Sequence, residues 1–105
     1  MERTKKNRLE SAGFRVGDAA DFLELTDEEI AFVELKLALA DYLRDLRVKN
    51  NWTQSQVARR LGSSQSRVAK MEAADKSVSV DLLVKSLLTL GASRDEVGRV
   101  IGKAA

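Results

Sequence analysis

The sequence predicts an all-α fold, because signals that begin and end helices recur along most of the chain. In three segments a Thr or Ser is followed three residues later by a Glu or Gln, which is the form of a reciprocal capping box. These segments are residues 26–29, 53–56 and 93–96. Gly62 and Gly91 follow periodic apolar runs and suit the left-handed position beyond a helix end. Strand signals are weak, and residues 14–16 form the only short candidate.

These signals predict five helices, preceded by a short helical turn near residues 18–24. The helices cover residues 27–49, 54–61, 65–73, 80–90 and 94–102. Ser64 and Ser79 serve as simple N-caps of the third and fourth helices. The chain therefore divides into an N-terminal extension, residues 1–25, and one helical domain, residues 26–105.

The first predicted helix is long and has apolar residues along its whole length. Its C-terminal half carries a stripe at helical spacing that is typical of a core-facing surface: Leu35, Leu39, Tyr42, Leu43 and Leu46. Its N-terminal half continues with Ile30, Phe32 and Val33, which need more cover than a small bundle of short helices offers. That cover is the preceding segment of the same chain, a second copy of the protein, or another protein.

The composition limits the chemistry of the chain. Its 105 residues include no Cys and no His, which excludes disulfides, zinc fingers, Cys–His nucleophile pairs and Ser–His–Asp triads. No apolar run approaches 18 residues, so we expect no membrane-spanning helix. The basic start lacks the apolar stretch of a secretory signal, and we expect a cytoplasmic protein. Without a glycine-rich phosphate loop, we expect no enzyme, no cofactor and no metal.

The net charge of +2 is a cancellation between segments of opposite sign. Residues 1–8 hold four basic side chains against one acidic side chain, and residues 10–34 hold eight acidic against one basic. Residues 44–70 hold seven basic side chains against one acidic. Segregated charge indicates two surfaces with different partners, although exposed helix faces also differ in sign by chance.

Residues 53–72 have the pattern of two short helices that meet across Gly62. Ala58 is small enough for a second helix to cross closely over it, and Gly62 allows a positive φ. Val68 anchors the second helix on the core. The spacing of these three residues matches the helix-turn-helix pattern, in which the second helix enters the DNA major groove.

The second of these helices has a small, polar outward face. At about 100° per residue, Ser66 and Lys70 point away from the side that holds Val68, and Gln65 lies in the exposed first turn. Gln can bridge adenine and Lys can reach guanine, so we predict that Gln65, Ser66 and Lys70 contact bases. Phosphate contacts are predicted at the start of the preceding helix and at the rim of this face: Gln54, Ser64 and Arg67. A solvated helix would look similar, but the framework and the local basic charge favour DNA.

The chain resembles the Cro/CI-type (Xre) helix-turn-helix family over roughly Leu35 to Val100. The matching pattern is Thr53-Gln54-x-x-Val57-Ala58-x-x-Leu61-Gly62-x-Ser64-Gln65-Ser66-x-Val68-x-Lys70-x-Glu72. The resemblance implies a lambda-repressor-like five-helix bundle that binds a palindromic operator in double-stranded DNA as a symmetric homodimer. It implies that Gln54 contacts phosphate, that Gln65, Ser66 and Lys70 face bases, and that Arg47 and Glu72 form an internal salt bridge. Ser63 departs from the family, which often has a small apolar residue there.

The flanks resemble the HigA-like antitoxins more narrowly. The matching segments are residues 17–23 leading into 26–29, and residues 64–73 followed by 79–83. This resemblance implies a protein that silences a RelE-fold ribonuclease toxin and represses its own operon. Phe14, Phe22 and Leu23 would then contact the toxin, because a ribonuclease presents cations to RNA and the segment around them is acidic. Alternatively, these residues cover the first helix of their own chain.

Two further functions stay open: a stand-alone regulator of the phage type without a toxin, and an interaction module whose helix-turn-helix has lost DNA binding. Either DNA-binding reading predicts a protein at the nucleoid. For the dimer, the apolar face of the last helix is the first choice of interface, unless Val97, Val100 and Ile101 simply close the bundle. Trp52 is expected to fill the core between two helices rather than to stack on a base.

Overall fold

The computed structural model describes residues 25–104, and over this range the protein is all-α, as the sequence predicts. The helices are α1 (Asp27–Lys49), α2 (Gln54–Leu61), α3 (Gln65–Glu72), α4 (Val80–Thr89) and α5 (Arg94–Lys103). The predicted bounds of α1 and α2 are confirmed, whereas α3 and α4 end one residue earlier and α5 one residue later than predicted. The turn predicted near residues 18–24 and the strand candidate at residues 14–16 lie outside the described residues. Between residues 25 and 104, no helix has the length and apolar character needed to cross a membrane.

Each helix begins at a capping residue that the sequence predicts. The caps are Thr26, Thr53, Ser64, Ser79 and Ser93. At α1 the Glu29 amide donates to Thr26 Oγ1 at 3.1 Å, and the Thr26 amide donates to Glu29 Oε1 at 3.1 Å. The same reciprocal pair begins α2 and α5. Caps of this kind stabilise a helix start by about 0.5–2 kcal/mol, which matters most for the short helices.

The ends of α1, α2, α3 and α4 share one geometry, in which a residue beyond the helix has a positive φ. These residues are Asn51, Gly62, Ala74 and Gly91. After α2, the Gly62 amide donates to Arg59 O at 3.3 Å and the Ser63 amide to Ala58 O at 2.8 Å, which is the Schellman motif. Both predicted glycines occupy this position. Ala74 occupies it at a cost of roughly 1–2 kcal/mol, which burial of its methyl group in the core offsets in part.

The hydrophobic core lies between α1 and the four shorter helices. Its fully buried large side chains come from α1 to α4: Leu39, Leu43, Val57, Val68, Met71, Leu83 and Leu87. α1 packs against α3, α4 and α5, and α2 packs against α3 and α4. The long first helix is therefore the common wall on which the others are positioned.

The N-terminal half of α1 has less cover than its C-terminal half. One long-range contact in this half is the hydrogen bond that Lys36 Nζ donates to Asp75 O at 2.8 Å. Burial lowers the pKa of Lys36, and the nearby Asp75 carboxylate opposes that change. Phe32 is 56% exposed, so the residues between 25 and 104 leave most of its ring in solvent.

The apolar face of α5 closes the bundle. Val97 is buried, and Val100 and Ile101 are half-buried against the core. Val97 is therefore used by the core of its own chain, whereas Val100 and Ile101 keep part of their surface exposed, and a dimer interface on this face stays a prediction.

Tyr42 on α1 forms a hydrogen bond with Glu96 on α5. Its hydroxyl donates to Glu96 Oε2 at 2.5 Å, while Glu96 Oε1 accepts the Ser93 amide at 3.1 Å in the capping box of α5. The hydrogen bond from Tyr42, followed by those from Ser93, lowers the pKa of Glu96 to about 2. One carboxylate therefore caps α5 and holds it on α1, and it performs both tasks best when deprotonated.

Acid should weaken this attachment through Glu96. Because folding lowers the pKa of Glu96 from 4.5 to about 2, its stabilising contribution is complete above pH 4.5 and is lost as the pH falls towards 2. In Tyr42→Phe we expect a higher pKa of Glu96, measured by carboxyl NMR titration, and a smaller loss of stability over this pH range in urea unfolding. Ser77→Ala, which removes a hydroxyl donor from Asp75 instead, is the control. An unchanged pKa of Glu96 in Tyr42→Phe would contradict the assignment.

Candidate nucleic-acid interface

α2, the turn at Gly62 and α3 form two helices that cross closely. Val57 and Val68 are completely buried, and Ala58 between them is 4% exposed. The small Ala58 side chain thus belongs to the core, and Gly62 adopts the left-handed conformation with φ 64° and ψ 38°. The framework predicted from Ala58, Gly62 and Val68 is present.

The outward face of α3 carries the residues predicted to contact bases. Gln65, Ser66 and Lys70 are exposed, while the opposite side of α3 is buried. Ser64 Oγ caps α3 by accepting the Arg67 amide at 3.2 Å, and it lies 3.3 Å from Ser66 Oγ. The side chain of Arg67 is exposed at the rim. The structure therefore brings the predicted base and phosphate contacts on α3 to one surface.

Gln54 and Gln65 connect the first turns of α2 and α3. Gln65 Nε2 donates to Gln54 Oε1 at 2.8 Å, and Gln54 Nε2 donates to Glu72 Oε1 at 3.3 Å. Sequence reasoning gave the two glutamines separate tasks and missed their contact. The available signal was that each glutamine begins one of two crossing helices, so that their first turns lie side by side.

Arg47 and Glu72 form the ion pair that the family resemblance implies. Arg47 Nε lies 2.6 Å from Glu72 Oε2, and Arg47 Nη2 donates to Glu72 Oε1 at 3.0 Å. Arg47 Nη1 also donates to Trp52 O at 3.2 Å. The side chains are only 18% and 7% exposed, and the hydrogen bond to Glu72 raises the pKa of Arg47 although burial opposes it. The pair joins α1, the α1–α2 turn and the end of α3.

A cleft of about 620 Å³ opens beside the two glutamines, and its lining includes Thr53, Gln54, Ser55 and Gln65. Three of these residues are the N-cap and the first two residues of α2. Unpaired amides and the helix dipole favour an anion at such a position. The cleft thus combines a place for a phosphate with the side chain that begins α3.

Trp52 lies between the end of α1 and the start of α2. It is half-buried and packs against the core, as expected from the sequence. The Arg60 guanidinium also stacks on the Trp52 ring, with Cζ 4.2 Å from the ring centroid. Sequence reasoning missed this contact. The signal for this contact was the spacing of an aromatic before the N-cap and a cation near the end of the same short helix.

The basic charge on α2 and α3 is largely unneutralised. The exposed residues Arg59, Arg60 and Arg67 take part in no ion pair with any residue from 25 to 104. α2 contains no acidic side chain. This surface therefore presents guanidinium groups to an external anion.

The predicted acidic surface, residues 10–34, falls within the described residues only from residue 25 onward. Phe14, Phe22 and Leu23, the predicted toxin contacts, lie outside the described residues. Within the described part, the first turn of α1 exposes three carboxylates one turn before the exposed Phe32: Asp27, Glu28 and Glu29.

Two capped helices that cross at a left-handed glycine, the second with a polar outward face, define a helix-turn-helix DNA-binding domain. The family model described as a helix-turn-helix domain matches residues 38–100. The chain belongs to this helix-turn-helix domain family. Comparison with curated proteins finds no match, and comparison with solved structures finds none.

Loss of Glu72 should destabilise the fold, because it leaves the largely buried Arg47 guanidinium without its carboxylate. We expect Glu72→Ala to lower the free energy of unfolding by about 3 kcal/mol, measured by urea denaturation. Glu72→Gln keeps an oxygen that can accept from Gln54 and should cost clearly less. Glu28→Ala removes an exposed carboxylate and should change stability by no more than about 0.5 kcal/mol. Equal losses in Glu72→Ala and Glu28→Ala would show that the ion pair has no structural role.

Proposed function

We propose that the protein is a sequence-specific DNA-binding transcriptional repressor. The observation that carries this proposal is the outward face of α3, where Gln65, Ser66 and Lys70 are exposed on a helix whose other side is fixed in the core. Ser66 and Ala69 are small, which allows close approach to base edges. Gln65, the first residue of α3, also donates a hydrogen bond to Gln54. A helix whose outward face contacts only solvent does not need this hydrogen bond.

Gln65 and Lys70 supply direct readout in this proposal. The Gln65 amide can pair with adenine, and the Lys70 ammonium can reach O6 and N7 of guanine. Gln54, Ser64 and Arg67 contact phosphates and set the register of the helix in the major groove.

A homodimer on a palindromic operator completes the proposal, because two copies of α3 read two half-sites of opposite orientation. On the apolar face of α5, Val97 is buried within the chain, while Val100 and Ile101 are only half-buried. Of the described large apolar side chains outside residues 10–34, Val48 and Leu88 are the exposed ones and are available for a subunit contact. This function belongs in the cytoplasm, at the nucleoid, and requires no catalytic step, cofactor or metal.

The readout can be tested with single base changes in the palindromic DNA upstream of the gene. Lys70→Ala should lose discrimination of about 1–3 kcal/mol at one base-pair position, because it removes a bidentate contact with guanine. Gln65→Ala should lose discrimination at a different position, expected to be an adenine. Fluorescence anisotropy titrations of each variant against the substituted duplexes measure both effects.

The control for these variants is Lys103→Ala, which removes the same charge on α5 and should keep the sequence preference. Undiminished operator affinity in both Lys70→Ala and Gln65→Ala would contradict the assignment of the recognition face. Affinity should also fall steeply with salt, and a flat salt response of the unaltered protein would favour the interaction module instead.

A second function, that of an antitoxin, is favoured by the exposed carboxylates and Phe32 at the start of α1. We propose that the acidic surface, defined as residues 10–34, binds and neutralises a basic RelE/HigB-like ribonuclease toxin. The repressor then regulates the operon that encodes both proteins. An acidic surface with apolar anchors complements a toxin that presents cations to RNA phosphates. The alternative is a stand-alone Cro/CI-type regulator without a toxin.

Deletion of residues 1–25 should separate the two functions. The capping box at Thr26 and all of α2 and α3 remain, so we expect unchanged operator affinity. Neutralisation should be lost, measured as growth during co-expression with the basic protein of a neighbouring reading frame. Phe32→Ser in the full chain should weaken neutralisation and spare DNA binding. Loss of both activities on deletion would show that the segment belongs to the core. Equal growth with and without residues 1–25 would favour the stand-alone regulator.

A further inference from the structure

Trp52 lines two clefts of different composition. It lines the 620 Å³ cleft together with Gln54 and Gln65. It also lines a second cleft of about 390 Å³ with Gln56, Arg59 and Arg60. The second cleft thus shares a wall residue with the cleft at the start of α2.

The Arg60 guanidinium lies near the start of α2, although Arg60 is close to the end of that helix. Side chains on a helix tilt towards its N-terminus, and the Arg60 guanidinium lies 4.2 Å from the centroid of the Trp52 ring, which immediately precedes the N-cap. A guanidinium stacked on a ring keeps its N–H donors at its edge, where they can meet an oxyanion. Among residues 25–104 it has no hydrogen-bond or carboxylate partner.

The rest of the cleft also suits an anion. Arg59 lines it beside Arg60, and the two guanidiniums share it without an acidic residue on α2 to balance them. Gln56 Oε1 accepts the Thr53 amide at 2.8 Å, which leaves the Gln56 Nε2 donor without a partner in the described part of the chain. Two cations and an amide donor around an aromatic wall match the donor set of a phosphate contact.

We infer that Arg60, stacked on Trp52, binds a DNA backbone phosphate that flanks the phosphate at the start of α2. This inference rests on the proposed DNA binding and adds a contact outside the bases that α3 reads. Trp52 is a positioning residue here: it orders the guanidinium before DNA arrives, so less side-chain entropy is lost on binding. Arg60 therefore strengthens binding to every sequence and carries no base preference.

Arg60→Gln tests the inference, with DNA selected by the unaltered protein from a random duplex library as the probe. We expect the slope of log affinity against log salt to become shallower by about 0.9, the value for one phosphate. The ratio of selected to random DNA affinity should stay unchanged. Phosphate ethylation interference should lose one signal outside the base contacts. Arg94→Gln, an exposed arginine on α5, is the matched control and should retain that signal.

The possible results distinguish failure of the Arg60 contact from failure of the proposed DNA binding. If the unaltered protein selects no DNA, the proposed function fails and this inference with it. If it selects DNA while Arg60→Gln keeps the salt slope and every interference signal, only the Arg60 contact is overturned. A shallower slope with all ethylation signals intact would also overturn it, because the charge would then act at long range. Circular dichroism of Arg60→Gln confirms the fold of the variant in each case.

Discussion

The placement of α3 depends on the Arg47–Glu72 ion pair. α2 and α3 have only eight residues each, too few for stable isolated helices, so their positions come from contacts with the rest of the chain. Arg47 ties the last residue of α3 to α1 and, through the Trp52 carbonyl, to the turn before α2. Glu72 also accepts from Gln54, so one carboxylate fixes three helices relative to one another. Desolvation offsets much of the attraction in such a pair, and its main consequence here is geometry.

That geometry reaches the outward face of α3 through two amides. Gln54 donates to Glu72 and accepts from Gln65, so the Gln65 side chain has a hydrogen-bond partner in the free protein. Ordering a flexible side chain on binding costs roughly 0.5–1.5 kcal/mol, and the hydrogen bond to Gln54 reduces that cost for Gln65. Lys70 is exposed and forms no hydrogen bond with any residue from 25 to 104. In the proposed complex with DNA, this face would therefore offer one hydrogen-bonded amide and one adaptable cation.

The features predicted correctly from the sequence are those that local chemistry decides. Thr53 and Gln56 cap α2 whatever surrounds them, and Gly62 ends it because few residues tolerate its backbone conformation. The sequence predicts the end of α3 one residue too late, because an alanine, Ala74, takes the left-handed position, and its burial in the core offsets part of the cost. Periodicity also could not say whether the apolar face around Val97 meets its own core or a partner. The contact of Gln54 with Gln65 depends on how α2 and α3 cross, which the pattern within either helix does not encode.

The length of α1 gives the segregated charge a physical meaning. Its 23 residues span about 35 Å, with exposed carboxylates in the first turn and Arg47 and Lys49 in the last. The Debye length at physiological salt is about 8 Å, so charges at one end of the helix are screened from those at the other. A basic partner at the start of α1 would therefore barely change the electrostatic potential at the last turn of α1. If one partner does alter the affinity for the other, the coupling has to pass through the packing of α1 or through the subunit contact of a dimer.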